Sequence, residues 1–223
     1  MKAFVFDMDD TLYKEHAYRD SGYRTVARHF AACCGVSPHE LYLLMNREPS
    51  QAFEHVEELA AERGVKISVA DQLCVYRSHF PDITLDDDAA DILSFFRQRG
   101  IPMGVITDGR AWGQMNKIEA LRLDRYFDKG TVMATVLLGT DKHSAKPFEA
   151  MEEILRQKGA TSFAYVGDNL AKDFVHPNLM GWDTIMLRDP EGVNIHPQNL
   201  ADWPAGHHPH HIIDSLTQLR KMI

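Results

Sequence analysis

Aspartates follow two short apolar runs of this sequence. Asp7 comes directly after residues 3–6 and Asp9 two residues later, and Asp168 follows residues 163–166 with one glycine between them. Carboxylate oxygens are the ligands that Mg²⁺ prefers, and an ionised carboxylate can also act as a nucleophile toward phosphorus. These residue types therefore indicate metal-assisted chemistry on a phosphate ester.

Each aspartate has a separate predicted task. Asp7 and Asp168 can hold a magnesium ion, which offsets the repulsion between Asp7 and an incoming phosphate. Asp7 can then attack phosphorus and form an aspartyl-phosphate. Asp9, two residues further on, can protonate the leaving oxygen and later accept a proton from water.

A threonine, an acidic residue and a glycine end another apolar run. Thr107 closes residues 103–107, and Asp108 and Gly109 follow it. The Thr107 hydroxyl and the backbone N–H groups near it can hold phosphoryl oxygens. We therefore assign Thr107, Asp108 and Gly109 to a phosphate loop.

A lysine is needed to neutralise the charge that builds up on the phosphoryl group. Lys142, Lys146 and Lys172 are the candidates. Pro147 suits the first turn of a helix, and this favours the lysine directly before it. We therefore predict Lys146 as the catalytic lysine.

The elements that must position these residues alternate along the chain. The predicted strands are residues 3–6, 103–107, 132–136, 163–166, 184–187 and 211–213. The predicted helices between and after them are residues 87–99, 111–121, 147–158 and 214–222. This alternation predicts an α/β fold with a doubly wound parallel sheet. Ligands bind beyond the carboxyl ends of such strands, where the candidate residues lie.

One segment lacks strands and interrupts the alternation. Helices are predicted at residues 15–34, 38–46, 51–63 and 69–80. We interpret residues 14–83 as a small helical-bundle cap domain inserted after the first strand. Residues 1–13 and 84–223 then form the catalytic core.

Four motifs in order resemble the haloacid dehalogenase-like (HAD) hydrolase superfamily. Residues 7–11 match its DxDxT motif, Thr107 its second motif, Lys146 its third, and Asp168 with Asp173 its fourth. The resemblance covers essentially the whole chain and implies a Rossmann-like core with a cap.

The resemblance also implies a role for each motif residue. Asp7 would be the nucleophile and a magnesium ligand, and Asp168 would be a direct ligand. Asp9 would be the general acid/base and would lend its backbone carbonyl to the metal. Asp173 would support the metal site from outside the ligand shell. The expected activity is a magnesium-dependent phosphatase acting on a small organic phosphate monoester.

Alternative functions use the same residues. A phosphomutase or phosphotransferase would pass the phosphoryl group to a second substrate, and a non-catalytic phosphate sensor would keep the fold without turnover. Asp9 argues against a dehalogenase, since dehalogenase members of the superfamily lack this acid. Asp108 departs from many relatives, which carry Asn there, and places an extra negative charge near the phosphate loop.

Composition limits the partners. The 223 residues carry a formal net charge of −8, which disfavours a nucleic acid polymer as partner. The three cysteines lack metal-ligand spacing and favour reduced thiols, hence a cytoplasmic location. No apolar run is long enough for a membrane span. The expected partner is a small phosphorylated metabolite, and the chain is expected to be a monomer or homodimer.

Overall fold

Six parallel strands form a single sheet at the centre of the fold. The structure is a computed structural model and describes residues 1–223. The strands are β1 (Lys2–Phe6), β2 (Met103–Thr107), β3 (Val132–Ala134), β4 (Ser162–Gly167), β5 (Asp183–Leu187) and β6 (His211–Ile213). Their spatial order is β3-β2-β1-β4-β5-β6, and every neighbouring pair is parallel.

The strand order reverses beside β1. The chain moves outward from β1 to β2 and β3, and then returns to place β4 on the other side of β1. This is a doubly wound sheet, which confirms the predicted α/β fold class. The crevice between β1 and β4 is the switch point where such sheets bind ligands, and Asp7 and Asp168 follow these two strands.

Helices cover both faces of the sheet. They are α5 (Asp87–Gln98), α6 (Ala111–Ala120), α7 (Lys146–Gln157) and the short α8 (Val175–Leu179). Alternate residues of β1 pack in opposite directions: Val5 lies in a core cluster with Phe148 of α7, whereas the ring of Phe4 lies 4.5 Å from that of Phe96 of α5. A strand with both faces buried is continuously apolar, as β1 is.

Several elements differ from their predicted bounds, and the first helix ends at Phe30 rather than at residue 34. β3 ends at Ala134, and Thr135–Leu138 form a 3₁₀ turn in which the Thr135 hydroxyl donates to Asp108. Leu216–Lys221 form a 3₁₀ helix within residues 214–222, where a helix was predicted without regard to its type. Leu216 and Leu219 are both buried, and a spacing of three residues keeps them on one side of a helix with three residues per turn.

Contacts divide the chain into two compact units. The first comprises Met1–His16 with Thr84–Ile223, and the second comprises Ala17–Ile83. The remaining helices are α1 (Glu15–Phe30), α2 (Pro38–Arg47), α3 (Ala52–Glu62) and α4 (Val69–Ser78). Reciprocal caps formed by Ser37 with Glu40 and by Ser68 with Asp71 begin α2 and α4.

The second unit has its own core, which includes Tyr23, Val26, Leu41, Met45 and Val56. A capping role for residues 14–83 stays a prediction. None of the helices in either unit combines the length and apolar composition needed to cross a bilayer.

Candidate active site

Three carboxylates meet at the carboxyl edge of the sheet. Asp7 follows β1, Asp168 follows β4, and Asp173 lies on the turn behind β4. All three are buried, and one carboxylate oxygen of each lies within 4.8 Å of the others. The structure thus brings together three of the predicted site residues.

One fully buried ammonium group faces this cluster. Lys142 Nζ lies 2.9 Å from Asp7 Oδ1 and 2.5 Å from Asp173 Oδ1, and it donates to the Tyr165 hydroxyl at 3.2 Å. Burial alone would lower the pKa of Lys142, but the carboxylates of Asp173 and Asp7 raise it well above its ordinary value. Lys142 is therefore a permanent cation beside Asp7.

One lysine does not balance three carboxylates. Burial is the largest cause of the rise in the pKa of Asp7 to about 7. Lys142 opposes this rise, but the Asp173 carboxylate partly cancels the effect of Lys142. The pKa of Asp168 is raised well above its ordinary range, first by burial and then by the carboxylates of Asp173 and Asp7. Because burial and neighbouring carboxylates disfavour the ionised forms of Asp7 and Asp168, a further cation beside them would stabilise the cluster.

The oxygen donors of the cluster suit magnesium. Asp173 Oδ1 is engaged by Lys142, and its Oδ2 accepts from the backbone N–H groups of Asp168 and Asn169 at 3.1 and 2.9 Å. Asp168 accepts only one side-chain hydrogen bond, from Asn194 at 3.2 Å. Asp7 and Asp168 thus keep oxygens available for a metal, and Asp173 is bound to the backbone around them, as expected of a supporting residue.

The structure does not bring Lys146 to this cluster. Lys146 is the first residue of α7, its side chain is exposed, and its Nζ donates to the Leu138 carbonyl at 2.7 Å. The structure therefore places Lys142, and not Lys146, beside Asp7, and the catalytic role assigned to Lys146 stays a prediction. The physical reason is that Lys142 lies in the loop after β3, where its backbone N–H donates to Asp108 directly after β2, whereas Lys146 begins α7.

The predicted phosphate loop begins with a hydroxyl that has no partner. Thr107 is buried at the end of β2, and its Oγ1 makes no hydrogen bond. A buried polar group without a partner is costly, so this hydroxyl is available to a ligand oxygen. Thr107 thus suits its predicted contact with a phosphoryl oxygen.

Asp108 holds the neighbouring loop through its side chain. Its carboxylate accepts from the Thr135 hydroxyl at 2.6 Å, the Lys142 backbone N–H at 3.1 Å and Lys172 Nζ at 2.9 Å. Burial would raise the pKa of Asp108, but Lys142, Thr135 and Lys172 outweigh it and keep the pKa below its usual range. The extra charge at this position is therefore paired, and it fixes the loop that carries Lys142.

Asp9 lies next to the cluster but contacts other groups. Its Oδ1 accepts from the Tyr13 hydroxyl at 2.5 Å and from Lys117 Nζ at 2.7 Å, and its Oδ2 accepts from Gln114 Nε2 at 3.1 Å. The Gln114 amide also donates to the Asp108 carbonyl at 2.5 Å. Asp9 is thus held by side chains from α6 and from its own loop.

Gly109 makes this arrangement possible. Its φ is +146°, and a Cβ at this position would lie 2.2 Å from Gln114 Nε2. Any other residue would push the Gln114 amide away from Asp9 and Asp108. The structure therefore places Gly109 as a spacer for Gln114, and its predicted contact with phosphate stays a prediction.

Sequence analysis did not identify Gln114 and Lys117, the two residues of α6 that contact Asp9, although the sequence carries a weak signal for them. Gln114 and Lys117 are buried and three positions apart on one side of the helix, where apolar residues are the rule.

The fold and the site together define a class of protein. It is a doubly wound α/β enzyme with an acidic site at the carboxyl edge of its sheet. The sequence profile of haloacid dehalogenase-like hydrolases matches residues 4–186. The chain therefore belongs to the haloacid dehalogenase-like hydrolase family, which confirms the resemblance drawn from its motifs.

Relatives with assigned names are similar over their whole length. The chain is 25% identical to the glyceraldehyde 3-phosphate phosphatase of Methanopyrus kandleri, with 99% of each chain covered. It is 23% identical to the ribulose-1,5-bisphosphate 5-phosphatase of Halopiger xanaduensis, covering 99% of this chain and 98% of that one. The magnesium-bound structure of the HAD-hydrolase YfnB from Bacillus subtilis has a TM-score of 0.65 at 18% identity, covering 99% of this chain and 97% of that one, which supports the fold.

Proposed function

We propose that this chain is a magnesium-dependent phosphatase that hydrolyses a small organic phosphate monoester through an aspartyl-phosphate on Asp7. The observation that carries the proposal is the environment of the Asp7 carboxylate. It lies 2.9 Å from a fully buried lysine and within 4.8 Å of two further carboxylates, at the switch point of the sheet. A nucleophile, a fixed cation and metal ligands are the parts that phosphoryl transfer requires.

The proposed reaction has two steps. Asp7 attacks phosphorus, the bond from phosphorus to the ester oxygen breaks, and the proton of the Asp9 carboxyl passes to that oxygen, so that the alcohol leaves. Water then attacks the phosphorus of the aspartyl-phosphate and gives a proton to Asp9. The bond to Asp7 breaks, and inorganic phosphate and the Asp7 carboxylate are released.

Other residues stabilise charge in both steps. Lys142 faces Asp7 and can neutralise the phosphoryl oxygens, and the Thr107 hydroxyl can donate to one of them. Magnesium bound by the Asp7 and Asp168 carboxylates and the Asp9 carbonyl would supply Lewis-acid stabilisation of the phosphoryl charge.

The named relatives favour hydrolysis over transfer. Both curated relatives are called phosphatases, and Asp9 supplies the acid/base that a phosphoenzyme needs for release by water. The proposed substrate is therefore a small phosphorylated metabolite. A cytoplasmic location and a monomeric or homodimeric state stay predictions.

Replacement of the nucleophile tests the proposal. Asp7→Asn should lower turnover of 4-nitrophenyl phosphate with magnesium by on the order of a thousandfold or more, because no aspartyl-phosphate can form. Release of phosphate and nitrophenol in equal amounts by the wild type separates hydrolysis from transfer. Asp124→Asn, at an exposed aspartate, is the matched control and should keep full activity. Retained turnover in a correctly folded Asp7→Asn variant would contradict the proposal.

A further inference from the structure

A buried lysine of α6 contacts the proposed general acid. The Lys117 side chain is only 5% exposed, and its Nζ lies 2.7 Å from Asp9 Oδ1 and 3.6 Å from Glu15 Oε1. Removing an ammonium group from water is costly unless it is paired, and these two carboxylates pair with Lys117. The contact with Asp9 is the shorter one.

A second residue of α6 contacts the other oxygen of the same carboxylate. Gln114 Nε2 donates to Asp9 Oδ2 at 3.1 Å and to the Asp108 carbonyl at 2.5 Å. Because Gly109 has no side chain, the Gln114 amide can reach both groups. The two donors from α6 therefore hold both oxygens of Asp9 and tie it to the loop after β2.

We propose that Lys117, assisted by Gln114, is a positioning residue for the general acid Asp9. This inference rests on the proposed phosphatase function. A general acid must keep its carboxyl within hydrogen-bonding distance of the leaving oxygen, and a free aspartate side chain samples several rotamers. Contacts at both oxygens restrict Asp9 to one orientation. When the proton has passed to the leaving oxygen, the Lys117 ammonium faces the carboxylate that remains.

Such a role has a signature that a purely structural role lacks. Protonation of the leaving oxygen matters most when that oxygen departs as a strongly basic anion, and least when it departs as the weakly basic 4-nitrophenolate. The ratio kcat/KM reports the steps up to formation of the aspartyl-phosphate, in which Asp9 acts as the acid. A defect in positioning Asp9 should therefore grow with the basicity of the leaving group.

The experiment compares kcat/KM for 4-nitrophenyl phosphate and phenyl phosphate with magnesium present. Lys117→Met should lose roughly 10- to 100-fold on phenyl phosphate, which is part of the roughly 10²–10⁴-fold effect of a general acid, and less than about threefold on 4-nitrophenyl phosphate. Lys117→Arg, which keeps the charge, should recover part of the loss. Lys129→Met makes the same change at an exposed lysine and should match the wild type on both esters.

A double variant tests whether Lys117 acts through Asp9. In an Asp9→Asn background, Lys117→Met should cause no further selective loss on phenyl phosphate, because the acid that it positions is gone. An additional selective loss there would overturn the proposal, as would an equal loss on both esters in the single variant. If Lys117→Met does not fold, Gln114→Met, which removes the second donor at similar volume, decides the question by the same two esters.

Failure of this inference is distinct from failure of the proposed function. If the wild type is active and Asp9→Asn shows the selective loss while Lys117→Met and Gln114→Met do not, only the positioning role is wrong. If Asp7→Asn keeps full activity, the phosphatase mechanism fails, and the positioning role fails with it.

Discussion

Each charged side chain of the site would destabilise the fold if it were buried there alone. Asp7, Asp168 and Asp173 are buried together, and Lys142 is the one ammonium in contact with two of them. Breaking a buried ion pair leaves a charge without compensation, which typically costs about 3–5 kcal/mol. Lys142 is therefore expected to serve the stability of this edge as well as its chemistry.

Two lysines four residues apart allow a matched comparison of this idea. Lys142→Met should lower kcat/KM by roughly 10²- to 10³-fold, because a fixed cation beside the reacting group is removed. Lys146→Met should stay within about threefold of the wild type, because Lys146 is exposed and its Nζ bonds only the Leu138 carbonyl. Steady-state kinetics on one aryl phosphate, with unfolding curves for both variants, measures the difference. A larger loss of kcat/KM in Lys146→Met than in Lys142→Met would instead indicate Lys146 as the catalytic lysine.

At the scale of elements, the end of β4 determines the shape of the acidic cluster. Gly167 is the last residue of β4, and the Asp173 carboxylate folds back over it to accept from the next two backbone N–H groups. A Cβ on Gly167 would lie 2.4 Å from Asp173 Oδ2. The strand therefore has to end in glycine for Asp173 to reach both Lys142 and the turn.

Adding one methyl group to this glycine tests the close approach. Gly167→Ala should destabilise the protein by about 1–3 kcal/mol, since the anchored carboxylate cannot move without losing its hydrogen bonds. Activity should fall as well, because Asp168 is held by the same turn. Urea unfolding measures the first effect. Gly206→Ala is the matched control, because no atom lies within 4 Å of its added Cβ; an equal, small effect of both substitutions would show that the turn adapts.

At the scale of the whole molecule, the doubly wound topology assembles the site from distant segments. Thr107 ends β2, whereas Asp7, Lys142 and Asp168 follow β1, β3 and β4, and parallel strands deliver all four to one edge. A divalent cation at this edge would bridge segments that are far apart in the chain. Binding only the folded state stabilises that state by mass action.

Magnesium should therefore raise the thermal stability of the protein without any substrate. At about 100 times the dissociation constant, the gain is about 2.7 kcal/mol, which corresponds to a rise in Tm of roughly 5–10 °C for a chain of this size. Asp168→Asn should remove most of the shift, whereas Asp124→Asn should keep it. Differential scanning calorimetry with and without Mg²⁺ measures this, and an unchanged Tm in the wild type would contradict the assigned metal ligands.

Much of the fold was predictable because its signals are local. β2 and β6 have the predicted bounds, since short apolar runs ending at polar residues indicate buried strands. The last helix was predicted without its type; it is 3₁₀ with Leu216 and Leu219 buried, and the helix types look alike in sequence. The site was partly predictable because Thr107 ends β2, and Asp7 and Asp168 directly follow β1 and β4.

The sequence by itself determined the class of fold and the acidic character of the carboxyl edge of the sheet, because short apolar runs and the polar residues at their ends are local properties. Only the tertiary structure decided which lysine meets Asp7 and which residues hold Asp9. Lys142 enters the cluster because Asp108 and Asp173 fix a distant loop, and Lys117 reaches Asp9 across 108 residues of sequence. Such pairings depend on where separate segments lie in space, which no local pattern records.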